Sequence, residues 1–97
     1  MAIWFREYTI ESIQDLGKNN MVEHLGIELL ELGDNYIKGR MPVDHRTKQP
    51  TGVLHGGATA ALAETLGSIG GNLVIDMNNF TCVGLDINAN HLRPVSS

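Results

Sequence analysis

Residues 55–71 read HGGATAALAETLGSIGG. Glu64 is the one formally charged side chain in this stretch, and no other occurs between Gln49 and Ile75. His55 is the only further titratable group there. Taken as a helix over 56–75 and turned 100° per residue, the segment puts Leu62, Leu66, Ile69 and Leu73 on one face. That bulky stripe needs a sheet to cover it. Gly57, Ala60, Ala61, Glu64, Gly67, Ser68 and Gly71 fall on the other face. Each glycine inside a helix is about 1 kcal/mol less favourable than alanine. A face so rich in small residues lets another group approach the backbone closely.

Two readings of Glu64 compete. A glutamate on a helix commonly does no more than keep a solvated face wet. A solvated face, however, normally carries several Lys, Glu or Gln residues, and this one carries none. A groove wall or an interface with one placed carboxylate fits the pattern better, and such a carboxylate suits a base or a nucleophile. The helix start is a second signal. Around His55-Gly56-Gly57 the first backbone N–H groups lack helical partners, and with the helix dipole they suit a developing negative charge. Gln49 and Pro50 lie just upstream, so an amide and an imidazole can converge on the same point. The competing reading of His55 is a capping or packing histidine.

Outward from the helix, Thr9 is an N-cap candidate with Glu11 in the first turn, giving a short helix over 10–16 that stops at Gly17. A second helical turn runs from Asn20 to Gly26. IELLEL (27–32), the turn residues 33–35 and YIKGRMPV (36–43) form a β-hairpin pattern. Gly39 inside its second strand implies a bulge or a close backbone approach. Residues 44–54 are a loop punctuated by Pro50 and Gly52. After a turn at 76–79, TCVGLDINANHL (81–92) alternates apolar and polar as a strand with one buried face. His91 and Arg93 at its end suit a phosphate or diphosphate, or are plain surface. Cys82 falls within the strand pattern as a packing residue.

The 97 residues suit one domain, at 42% hydrophobic and 19% charged. A net charge of −4 without a basic stripe argues against nucleic-acid binding. No run has the length of a membrane span, and the N-terminus lacks the pattern of a signal peptide. One cysteine excludes an internal disulfide and fits a cytoplasmic location. No His/Cys/Asp/Glu cluster has metal-ligand spacing.

MPVDHRTKQPTGVLHGGATAALAETLGSIGG (41–71), with VGLDINANHLRPV (83–95) and WFREYTIESI near the start, resembles the hotdog-fold acyl-CoA thioesterases over nearly the whole chain. The branch it resembles holds the aroyl-CoA thioesterases, including those that act on 1,4-dihydroxy-2-naphthoyl-CoA in menaquinone synthesis. The resemblance implies an α+β fold in which a curved antiparallel sheet wraps one long helix. It implies a homodimer or a dimer-of-dimers homotetramer, with the active site at the dimer interface. It matches Glu64 to the family's catalytic carboxylate, and His55 and the Gly56 N–H to the groups that position and polarise the thioester carbonyl. Gln49 matches the glutamine near the acyl group, and Ser68 the serine that orients the carboxylate or water. Gly57 belongs to the substrate-binding helix start. His91 lies on the ligand-binding side, and Arg93 matches a contact to the CoA nucleotide. The implied reaction is hydrolysis of an aromatic or medium-size acyl-CoA, through a mixed anhydride or an activated water, with no metal and no cofactor beyond the CoA thioester itself. Family members continue past the position of Ser97 with further strands that complete the sheet. Two other readings remain at this point: a hotdog module that binds acyl-CoA without turnover, and a hotdog dehydratase or hydratase that uses a histidine with a carboxylate.

Overall fold

The computed structural model describes residues 2–82 and 84. Its elements are helix α1 (Ile10–Gln14), a 3-10 turn (Asp15–Gly17), helix α2 (Met21–His24), strands β1 (Glu28–Leu32) and β2 (Ile37–Arg40), and helix α3 (Gly56–Val74). The strand expected over 81–92 lies outside the described residues, apart from Thr81, Cys82 and Gly84.

α1 starts where the sequence places it. The Thr9 hydroxyl accepts from the Ser12 N–H, and the Ser12 hydroxyl accepts from the Thr9 N–H, a reciprocal cap. The α-helix ends at Gln14 and tightens into the 3-10 turn. Gly17 closes that turn under Val22; a Cβ on it would sit 2.7 Å from Val22 Cγ1. Asn20 caps α2 through its side chain, and Gly26 ends that turn with φ +74°.

β1 and β2 form an antiparallel pair. Leu29 faces Gly39 and Glu31 faces Lys38, so Leu30 is an extra residue that shifts the register and leaves Leu30 exposed. Gly39 also serves the close approach expected of it. A Cβ there would meet Leu66 Cδ2 of α3 at 2.8 Å. The sheet therefore lies directly on the helix, an α+β arrangement consistent with the hotdog fold that the resemblance implies. β2 is shorter than the expected 36–43 because pairing ends at Arg40, before Pro42, which has no N–H to give to a ladder.

The core sits between sheet and helix. Ile13, Leu29 and Leu73 are its buried centre, with Ile37, Leu66 and Ile69 packed around them. Three of the four residues of the expected apolar helix stripe thus face this core, while Leu62 is half-buried. Gln14 ties α1 to β1 by a side-chain amide that takes both roles of a strand neighbour. Its Oε1 accepts from the Leu29 N–H at 2.7 Å and its Nε2 donates to the Ile27 carbonyl at 3.3 Å. At the N-terminus, Trp4 Nε1 donates to the Gly33 carbonyl and the Phe5 N–H to the Leu73 carbonyl, which binds residues 3–5 across the end of α3.

Candidate active site

The loop before α3 is built to place the helix start. Thr47 is fully buried; its hydroxyl donates to the Pro42 carbonyl and accepts from the Asp44 N–H. Lys48 bridges Leu54, the Gln49 N–H donates to the Val53 carbonyl, and Gly52 turns the chain with φ +87°. The His55 N–H then donates to the Thr47 carbonyl at 2.7 Å. This small hairpin lays the limb carrying Gln49 beside the limb that ends at His55. Asp44 anchors it from outside. The Arg46 guanidinium, with the Arg46 N–H, holds the Asp44 carboxyl well below its ordinary value, at about 2.

His55 is the N-cap of α3, and its Nδ1 accepts from the Gly57 N–H at 2.8 Å. A Cβ on Gly57 would sit 2.9 Å from that nitrogen, so the glycine makes room for the ring. The capping role weighed for His55 is therefore real, and it leaves a second one open. With Nδ1 accepting, the neutral ring carries its proton on Nε2, where it serves as a donor. The N–H groups of Ala58 and Thr59 both turn back to the His55 carbonyl. Of the first N–H groups of α3, the Gly56 N–H is the one without a partner among the described residues.

Two turns on, Glu64 is half-buried on the small face. The Ser68 hydroxyl donates to Glu64 Oε1 at 2.5 Å, as the i, i+4 spacing allows. The carboxylate also lies against the backbone of Gly84, where an added Cβ would overlap both carboxylate oxygens. One turn past Ser68 comes Asn72, a residue the sequence reading did not single out. Its Nδ2 donates to the Ser68 carbonyl at 2.8 Å and to the Cys82 carbonyl at 3.0 Å, and its Oδ1 accepts from the Cys82 N–H at 2.9 Å. The spacing Glu64, Ser68, Asn72 was the available signal. The Cys82 thiol fills the space above Gly71, as a packing role requires, whereas a Cβ on Gly67 would meet nothing within 4 Å among the described residues. Among the described residues the small face is thus covered at Gly71 and open at Gly67.

The structure groups His55, Gly56 and Gly57 at the helix start and pairs Glu64 with Ser68 at mid-helix, while Gln49 sits on the adjoining limb of the loop, opposite Val53. His91 and Arg93 lie outside the described residues. Gly56 and Glu64 are eight residues apart, about 12 Å along the helix axis. A hydrogen-bonded carbonyl and the oxygen attacking its carbon span only about 7 Å. Among the described residues no group of His, Cys, Asp and Glu is placed to hold a metal ion, and no helix is long and apolar enough to cross a membrane.

Residues 51–97 match the family described as Thioesterase superfamily. The proofreading thioesterase EntH of Cronobacter turicensis is 51% identical over 94 residues, covering 97% of this chain and 68% of that protein. The 1,4-dihydroxy-2-naphthoyl-CoA hydrolase of Escherichia coli is 48% identical over 91 residues, covering 94% of this chain and 66% of that protein. A crystal structure of a thioesterase variant from Pseudomonas aeruginosa superimposes with a TM-score of 0.94 at 42% identity, over 99% of this chain and 69% of that one. The chain therefore spans about two thirds of the length of these relatives.

Proposed function

This chain belongs to the thioesterase superfamily, and from that membership we propose that it hydrolyses an acyl-CoA thioester to the free acid and CoA. The observation that carries the proposal is the lone carboxylate of Glu64, held by the Ser68 hydroxyl on an otherwise small-residue face. The Gly56 N–H and the Nε2–H of His55 polarise the thioester carbonyl and hold the oxyanion. Gln49 contacts the acyl group from the neighbouring limb of the loop, and Gly57 keeps the helix start narrow enough for the substrate. Glu64 acts on the carbonyl carbon by one of two routes. In one, its oxygen adds to the carbon, the C–S bond breaks, CoA leaves as the thiol after protonation, and water opens the mixed anhydride. In the other, Glu64 takes a proton from the water that attacks. Ser68 orients the carboxylate in both.

The separation along α3 supports a site shared by two copies: the helix start of one protomer faces Glu64 of the other. The smallest assembly is then a homodimer, which can pair further into a tetramer. We assign an aromatic or medium-size acyl group, such as 1,4-dihydroxy-2-naphthoyl, on two grounds. The E. coli relative is named for that substrate, and the space over Gly67, open among the described residues, admits a flat ring. His91 and Arg93 are assigned to the CoA side of the ligand. The location is the cytoplasm and the setting menaquinone synthesis. The test is thiol release from 1,4-dihydroxy-2-naphthoyl-CoA and benzoyl-CoA, followed with a thiol-reactive dye. Release is expected; binding of the CoA ester with no free thiol would assign the chain to a binding module instead.

A further inference from the structure

The carboxylate of Glu64 touches a residue that no chemistry requires. A Cβ on Gly84 would overlap both of its oxygens, so Glu64 occupies the space a side chain would otherwise fill. Cys82, two residues before Gly84, is clamped to α3. The Asn72 amide pairs with both the N–H and the carbonyl of Cys82, as a neighbouring strand would. The Cys82 thiol packs into the space left by Gly71, where a Cβ would sit 2.5 Å from Sγ. Asn72 also donates to the Ser68 carbonyl, one turn from the hydroxyl that holds Glu64.

We propose that Gly84 is a seat for the Glu64 carboxylate and that Asn72 is the clamp that holds the seat in place, making both positioning residues for the hydrolysis. The proposal rests on the reading of Glu64 as the catalytic carboxylate. In this arrangement the absence of a side chain at 84 sets where the carboxylate points. The group that must yield to a Cβ at 84 is the end of a flexible glutamate, which moves at little cost in stability. Its movement breaks the aim at the thioester, and displacement of a reacting group by about 1 Å costs on the order of 100-fold in rate.

The experiment compares Gly84→Ala and Asn72→Ala with the wild-type chain, Ser68→Ala and Glu64→Gln. It reads kcat and KM on benzoyl-CoA, the melting temperature, and the carbon-13 chemical shift of the Glu64 carboxyl. For Gly84→Ala the expected result is a melting temperature near wild type, a kcat lower by ~100-fold and a KM close to wild type. Its Glu64 carboxyl signal moves in the direction that Ser68→Ala moves it. Asn72→Ala moves the same signal and lowers kcat by less. A wild-type kcat together with an unmoved Glu64 signal in Gly84→Ala overturns the proposal. If Gly84→Ala does not fold, the unmoved signal in Asn72→Ala overturns it. Failure of the underlying reading looks different: the wild-type chain releases no thiol, or Glu64→Gln still does. The carboxyl signal then still decides whether the seat exists.

Discussion

The two halves of α3 carry their functional groups in different ways. At the start, His55 spends one ring nitrogen on its own helix, and the Gly56 N–H has no partner among the described residues. The ring is exposed, and among the described residues its hydrogen bond is the cap to Gly57. At mid-helix, Glu64 is tied to Ser68, Ser68 to Asn72 and Asn72 to Cys82, with Gly84 closing over the carboxylate. One half offers donors at a helix end; the other holds an acceptor in a chain of side-chain bonds. A substitution in the first half should disturb helix stability and rate together. One in the second should change rate with little effect on folding.

Glu64→Gln gives the largest effect. It removes the charge and keeps the shape, so turnover should fall by at least the 10²–10⁴-fold typical of a lost acid–base group, with CoA-ester binding kept. A Glu64→Gln chain with normal turnover ends the assignment. His55→Ala comes next. Loss of an oxyanion donor predicts a kcat lower by roughly 10²–10³-fold. The same change strips the cap from Gly57, which should cost about 1 kcal/mol in denaturant unfolding. An unchanged stability would mean that the cap contributes nothing, and the contrast between the halves would blur. Ser68→Ala should lower kcat by roughly 10- to 100-fold, the value of one hydrogen bond to a charged group, and leave the melting temperature nearly unmoved.

The smallest effect lies in the loop that delivers His55. Asp44 sits near 2 in the folded chain against an ordinary 3.8. A carboxyl lowered on folding stabilises the fold fully above its unfolded value and loses that contribution as pH falls through the folded one. The acid limb of stability between 3.8 and about 2 should therefore flatten in Asp44→Asn. Because the pair is partly exposed, the change should be small and should fade in high salt. Chemical denaturation across that pH window measures it.

Much of this was legible in the residues. The apolar stripe and the glycine-flanked start place α3 at 56–75, against the observed Gly56–Val74. Thr9 and Asn20 announce their caps because a short polar side chain before an apolar pattern has few other uses. Gly39 was readable as a close approach, while the extra residue Leu30 was not. Alternation counts residues on a strand and says nothing of how the partner strand is registered. Asn72 and Gln14 were missed for one physical reason. A side-chain amide that stands in for a strand carries no mark of its partner, which only the tertiary arrangement supplies. Gly84 was missed likewise, since a glycine in a strand pattern does not disclose which group occupies the space it leaves. The separation of Gly56 from Glu64 was legible from the rise of a helix, but the direction of the carboxylate was not.

The proposed meeting of the two halves across two protomers is tested most directly by mixing two damaged chains. Glu64→Gln and His55→Ala are unfolded together, refolded as a mixture, and assayed for thiol release beside each variant refolded alone. In a shared site, half of the dimers are mixed, and each mixed dimer has one site with both groups intact. The mixture should then recover roughly a quarter of the wild-type rate. A mixture no faster than the separate variants, with mixed dimers demonstrably formed, would place both groups in one chain and contradict the pairing.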